Sequence, residues 1–147
     1  RSEGRQARYE RYEMGDMSKS KTRNPNDDGH PLPGLISFDI DGTLTVGDPP
    51  GTVTMDMVRR AQEMGYLIGS CSDRPINAQR KIWDTHQIAV DFTVLKHRLL
   101  EVKAQFEAGA YYHIGDTELD RHVAKQAGFT FVLVGDADGE PWAGPPA

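Results

Sequence analysis

The sequence predicts an α/β fold: a three-layer arrangement in which a parallel sheet of about five strands carries helices on both faces. Three observations predict it. Short apolar runs of strand length alternate with amphipathic stretches of helical length, the spacing between runs suits crossovers rather than hairpins, and Gly or Pro punctuates the joins. A strand, crossover and parallel strand in one sheet are almost always right-handed, which puts helices on both faces.

The elements follow in order from Leu35. Leu35-Ile36-Ser37-Phe38 reads as a buried strand, and 54–64 as a helix with Val58, Ala61 and Met64 or Gly65 inward and Thr52 or Thr54 as its cap. A second strand is expected over 66–70. Pro75 sits well in the first turn of a helix that runs to about His86. The third strand is 92–95, followed by a helix over 98–107 that ends near Gly109. A fourth strand spans 111–114, a helix 117–127 stops at Gly128, and a fifth strand covers 129–134.

The domain plan has three parts. Residues 1–33 combine charge with Ser, Asn, Gly and Pro and almost no aliphatic side chains. Such a composition buries too little apolar area to offset the entropy of ordering, so a disordered or extended segment with at most a transient helix over 5–14 is expected. Residues 34–136 form the α/β domain, and 137–147 read as a C-terminal tail rich in Gly, Pro and acid. Within it Asp136-Ala137-Asp138-Gly139 reads as a turn, because the later ligands of a calcium loop are missing. The sequence opens on Arg1 rather than Met, so its first residues are read as continuing a longer protein or following processing or cloning.

Charge and composition narrow the function classes. The formal net charge is −5, and beyond residue 30 ten Lys/Arg face sixteen Asp/Glu. An acidic body argues against a broad nucleic-acid surface, which needs clustered cations. A substrate with one phosphate stays compatible with it. The single cysteine, Cys71, forms no internal disulfide, and no apolar run reaches a membrane span or resembles a secretory signal. A soluble, cytoplasmic protein with no membrane partner is the expectation.

Four polar groups fall at consecutive strand ends, where parallel sheets bind ligands: Asp39, Ser72, Lys96 and Asp116. In Asp39-Ile40-Asp41-Gly42-Thr43 the two carboxylates stand two residues apart on an extended strand, on the same side, and Gly42 lets the chain turn sharply. Close carboxylates repel unless a cation neutralises them. Phosphoryl transfer needs this set: one carboxylate to attack phosphorus, one carboxyl to protonate the leaving oxygen, and a magnesium ion to offset the charge of the dianion. Turn and cap roles for the same two aspartates remain the plain alternative. In Gly115-Asp116-Thr117-Glu118-Leu119-Asp120, Asp116 stands at the strand tip and Asp120 one helical turn on, both oxygen ligands suited to magnesium; helix capping is the competing role.

Ser72-Asp73-Arg74-Pro75 offers a hydroxyl and helix-entry N–H groups to a phosphoryl oxygen, with Ser72 as N-cap the alternative and Ser70 the other candidate hydroxyl. Arg74 either meets substrate or pairs with an acid. Lys96 offsets the carboxylates and the phosphate; Lys103, about 10 Å further along the helix by its rise, is the rival cation. His113 and His97 default to core packing or surface. The expected phosphate-binding set is thus Ser72, Lys96, Gly42, Thr43, Asp73 and Arg74.

Taken together, Phe38-Asp39-Ile40-Asp41-Gly42-Thr43-Leu44-Thr45, Ser72-Asp73-Arg74-Pro75, Lys96 and Gly115-Asp116 with Asp120 resemble, in order, motifs one to four of the haloacid dehalogenase superfamily. The resemblance spans about residues 35–134. It implies a Rossmann-like fold, Asp39 as nucleophile forming an aspartyl-phosphate, and Asp41 as general acid then base. Ser72 and Lys96 would hold the phosphoryl group. Magnesium would be served by Asp39, Asp116, Asp120 and the backbone carbonyl of Asp41. Aspartate at position 41 resembles the phosphatase and phosphomutase branches. About thirty residues join Asp41 to Ser72 and about two dozen join Ser72 to Lys96, leaving no room for the usual cap. A capless phosphatase acting on a phosphorylated substrate of unknown class is therefore expected, with a homo-oligomer as one way to cover the site. A polynucleotide-end phosphatase and a noncatalytic phosphate- or protein-binding module are the alternatives.

Overall fold

A computed structural model describes residues 32–144. The first strand, β1 (Gly34–Phe38), leads through a loop to helix α1 (Met55–Glu63) and back to β2 (Leu67–Ser72). Helix α2 (Ile76–Thr85) and strand β3 (Phe92–Leu95) follow, then one 3-10 turn (Lys96–Arg98) into α3 (Leu99–Gln105). Strand β4 (Ala110–Gly115), helix α4 (Glu118–Ala127) and strand β5 (Thr130–Leu133) complete the alternation.

All four strand pairings are parallel, in the order β3-β2-β1-β4-β5. The chain thus builds outward from β1 to β3, then jumps across to build β4 and β5 on the other side. The reversal lies between β1 and β4, and crevices at such switch points are where open α/β sheets bind ligands. Leu35, Ile36 and Phe38 of β1 and every residue of β2 are buried, as near-continuous apolar strands must be when both sheet faces are covered.

Side-chain alternation sorts the core in two. Ile36, Phe38 and Ile114 pack with Met57, Val58, Ala61 and Trp83 of α1 and α2. Leu35, Phe92 and Val94 pack with Leu99, Val102, Ala124 and Ala127 of α3 and α4 on the opposite face. The three layers predicted from sequence are those observed. Among the described residues no helix is long and apolar enough to cross a membrane.

Local chemistry explains the helix ends. Thr54, not Thr52, caps α1, its Oγ1 accepting from the Met57 N–H at 3.1 Å, with Asp56 in the first turn favouring the helix dipole. Gly128 ends α4 at φ 79°, a left-handed conformation that glycine adopts without penalty. The Lys103 ammonium donates to the Gly128 carbonyl at 3.1 Å, so this lysine ties two helices together far from the strand ends.

Several boundaries differ from the sequence reading. Strand β2 runs to Ser72 rather than Ser70, because Ser70 finds buried partners: its hydroxyl donates to Gln79 Oε1 at 2.6 Å and accepts from Trp83 Nε1 at 3.0 Å. Met64 is exposed instead of inward, and Met55 and Met57 fill the α1 core positions. The segment after β5 packs on the domain through two 3-10 turns (Val134–Gly139 and Pro141–Ala143), with Ala137 and Trp142 buried. Trp142 meets Phe38, the last residue of β1, edge-on, with ring centroids 5.5 Å apart. Two aromatic residues in this geometry contribute beyond their buried area. The expected disorder or transient helix over 1–33 falls almost wholly outside the described residues, as does the far end of the expected tail.

Replacing a fully buried tryptophan by alanine removes its transfer energy and leaves a cavity. Trp142→Ala is therefore expected to lower stability by about 3–5 kcal/mol in urea unfolding. A change below about 1 kcal/mol would mean that the C-terminal turns are dispensable to the core.

Candidate active site

Asp39 is the first residue beyond β1 and is buried on the same sheet face as Leu35 and Ser37. Its Oδ1 accepts from the Ile40 N–H at 2.8 Å. Its Oδ2 lies 3.5 Å from Lys96 Nζ, and that ammonium also lies 3.3 Å from Asp120 Oδ1 and 3.7 Å from Asp73 Oδ2. Lys96 belongs to the 3-10 turn that leaves β3, so a short, stiff connection sets its reach. Two carboxylates thus lean on one buried ammonium.

The fourth strand end supplies the rest. Thr117 caps α4, its Oγ1 accepting from the Asp120 N–H at 3.1 Å, while Asp120 Oδ2 accepts from the N–H groups of Asp116 and Thr117 at 3.2 Å each and from the Thr117 hydroxyl at 2.9 Å. This is a capping box with a second use, since the carboxylate that starts the helix also lies in the site. One oxygen from each of Asp39, Asp116 and Asp120 falls within 4.8 Å of the others.

Asp116 Oδ1 is buried and has no hydrogen-bond partner. A buried oxygen without a partner is costly. Magnesium takes oxygen ligands and only a few carboxylates from protein, so this all-oxygen set is of the kind that could hold one. Gly42 makes room for it: at φ 79° it turns the chain under Asp116, and a β-carbon there would overlap that carboxylate.

Asp41 stands apart. The Arg74 side chain grips it with Nη2 at 2.7 Å from Oδ1 and Nε at 3.1 Å from Oδ2, and the Asp48 N–H donates to Oδ1 at 2.8 Å. Asp48 lies in the loop after β1, which is held against the first motif by the hydrogen bond from Gly42 N to Pro49 O. The hydrogen bond from Arg74 holds the Asp41 carboxyl below the usual carboxylate range.

The expected phosphate set divides accordingly. Lys96 is in place. Arg74 binds Asp41, the acid-pairing role that the sequence reading set beside substrate contact. Ser72 ends β2 with its hydroxyl accepting from the Arg74 N–H at 3.0 Å; it closes the loop and does not cap α2, whose N-cap is Pro75. Asp73 projects into solvent. Thr43 is fully buried, its Oγ1 without a hydrogen-bond partner.

Two participants escaped sequence reasoning as site residues. His113 Nε2 lies 3.0 Å from Asp120 Oδ1 and its Nδ1 2.9 Å from Ser37 Oγ, all three residues fully buried. The signal was present in period 2: Ser37 interrupts an apolar strand on the Asp39 side, and His113 does the same two residues before Gly115. The default reading of His113 as a core residue describes its burial and misses its partner.

Comparison with protein-family models, with curated proteins and with solved structures finds no significant match, so the site is read from its own geometry.

Burial, and after it the negative Asp120, push the Asp39 carboxyl up to about 8, against the opposing pull of Lys96. Burial also works against an ionised Asp120, but the hydrogen bond from His113 leads the contributions that outweigh it, and its carboxyl lies below the ordinary range. Between the ordinary carboxylate range and about 8, the native protein keeps a proton on Asp39 that the unfolded chain has released. Stability of the metal-free protein therefore falls as pH rises through that window. In chelator, Asp39→Asn is expected to melt above the parent at pH 8, the gap shrinking steadily toward pH 4. Equal melting temperatures at pH 8 would show that Asp39 ionises there without cost.

Proposed function

We propose that the chain is a magnesium-dependent phosphomonoester hydrolase of the haloacid dehalogenase type, working through an aspartyl-phosphate on Asp39. One observation carries the proposal: at the switch point of a parallel sheet, Asp39, Asp116 and Asp120 bring one oxygen each within 4.8 Å of the others, Lys96 pairs with Asp39 and Asp120 of the three, and one buried Asp116 oxygen lacks a hydrogen-bond partner. An acidic cluster relieved by a single cation has surplus negative charge, which a divalent ion offsets.

Asp39, Asp116 and Asp120 would hold that ion, with the Asp41 backbone carbonyl as a further ligand. Bound there, magnesium supplies charge neutralisation that lets a phosphate dianion approach a carboxylate. An ionised Asp39 oxygen then attacks phosphorus, and the bond from phosphorus to the ester oxygen breaks. Asp41 gives its proton to the departing alkoxide. In the second half Asp41 takes a proton from water, the resulting hydroxide attacks phosphorus, and the bond to Asp39 breaks to release phosphate and restore the carboxylate.

The Arg74 pair fits one half of this cycle directly. A carboxylate held ionised by a guanidinium is in the form a base requires, whereas the acid half needs Asp41 protonated and released from Arg74. Lys96 stabilises the charge on the transferred group, and the Ser72 hydroxyl hydrogen, not used by the bond it accepts, remains to be donated. Neither the loop over 39–54 nor the loop over 73–75 holds an inserted helix or strand, consistent with an open site that accepts a bulky ester.

Purified protein with magnesium is expected to release phosphate from p-nitrophenyl phosphate or from a member of a panel of phosphorylated sugars, peptides and oligonucleotide ends. Asp39→Asn is expected to lower that rate by at least about a thousandfold, since it removes the nucleophile, while circular dichroism stays native. Turnover in the variant equal to the parent would refute the assignment, and binding without turnover across the panel would favour a noncatalytic module.

A further inference from the structure

The site described above rests on a buried polar column that its proposed chemistry does not use. Ser37 and His113 are cross-strand partners in the β1–β4 ladder, and both lie on the sheet face covered by α3 and α4. Their surroundings there are apolar: Leu35, Cys71, Phe92, Ala124 and Phe129. Burying a hydroxyl and an imidazole in such a layer costs free energy unless each is hydrogen-bonded.

Each is hydrogen-bonded. Ionised Asp120 can only accept, so His113 Nε2 carries the proton on that side at 3.0 Å, and in the neutral ring Nδ1 accepts from the Ser37 hydroxyl at 2.9 Å. A leucine at 113 and an alanine at 37 would satisfy packing without either bond. The column instead ends on the one carboxylate that reaches everything else. Asp120 Oδ1 faces Lys96, and its Oδ2 holds the Asp116 and Thr117 backbone that presents the partnerless Asp116 oxygen.

We propose that His113 is a positioning residue: backed by Ser37, it fixes the orientation of Asp120 and so sets the affinity of the acidic cluster for a divalent cation. The inference rests on the reading of that cluster as a cation site. With the ring in place, one Asp120 oxygen is pinned from below, which leaves the other to order the Asp116 loop. Without it, Asp120 Oδ1 keeps Lys96 as its ion-pair partner, and the carboxylate is held by that ammonium and by the bonds its Oδ2 accepts from the Asp116 and Thr117 N–H groups and the Thr117 hydroxyl. Partners one bond removed from a metal ligand commonly change affinity by about 10–100-fold when lost.

Manganese(II) is the probe, titrated calorimetrically and by its electron paramagnetic resonance signal against the parent, His113→Leu, His113→Gln and Ser37→Ala. Leucine is expected to weaken manganese binding by about 10–100-fold. Glutamine, whose amide N–H can reach Asp120, is expected to recover most of that loss, and Ser37→Ala to weaken binding severalfold. A folded His113→Leu that binds manganese like the parent overturns the proposal, because His113 is then a core residue only. If His113→Leu does not fold, Ser37→Ala decides, and parental affinity in that variant overturns it equally. A parent protein that binds no manganese is a separate result, since it removes the cation site itself along with this inference.

Discussion

Two buried carboxylates share one buried ammonium, and the rest of the structure is arranged around that imbalance. Lys96 is nearly equidistant from Asp39 and Asp120, and burial raises the energy of any charge left over. An ion pair in such a place is weak evidence for stability, since desolvation of both partners offsets most of their attraction. Two buried carboxylates on a single amine leave surplus negative charge, and the neighbouring Asp116 adds to it. The arrangement persists because it is held from outside: β1 and β4 are adjacent at the topological switch, α4 begins with Asp120 in its capping box, and β3 turns at once into the 3-10 segment that carries Lys96.

That support has a cost spread over both faces of the sheet. On one face Trp142 packs on Phe38 at the end of β1, and on the other Ser37 and His113 rise through the apolar layer to Asp120. Local polar networks handle the remaining loops. Gln79, fully buried, donates to the carbonyls of Arg74 and Val94 at 2.9 and 3.1 Å, which fixes the chain between Ser72 and Pro75 relative to β3. Buried networks of this kind specify one arrangement when every member is satisfied. Beyond the ends of β1 and β4, Thr43 Oγ1 and Asp116 Oδ1 are buried without hydrogen-bond partners, the cost that such a network otherwise avoids.

The sheet and its helices were legible from periodicity, because apolar runs such as Leu35-Ile36 and Phe92-Thr93-Val94 have no other stable use than buried parallel strands. Asp39, Asp116 and Lys96 were legible for a related reason: a polar residue directly after a buried run marks the strand end. What escaped reading was side-chain pairing at a distance. Nothing in the spacing of Asp41 and Arg74, 33 residues apart, says that the guanidinium reaches the carboxylate rather than a ligand. Trp142 was hidden differently. Its neighbours are Gly, Pro and acid, so composition describes a tail, yet one large aromatic side chain in the core outweighs several polar neighbours.

Desolvation acts twice on Asp39, and the two effects pull in opposite directions. A dry site makes every electrostatic contact with a phosphate stronger, which a phosphoryl-transfer site needs. The same dryness raises the Asp39 carboxyl to about 8, which favours its protonated form and, on the proposed reading, makes the metal-free residue a poor nucleophile. A divalent cation beside it favours the ionised form. On the proposed reading, metal dependence is therefore not an added requirement but the counterpart of burial: the ion that allows a dianion to approach also removes the proton that would block attack. An exposed aspartate would be ionised without help and would hold the phosphate weakly. On that same reading, the burial of Asp39, with Lys96 shared between two carboxylates, ties the readiness of the proposed nucleophile to occupancy of the proposed cation site.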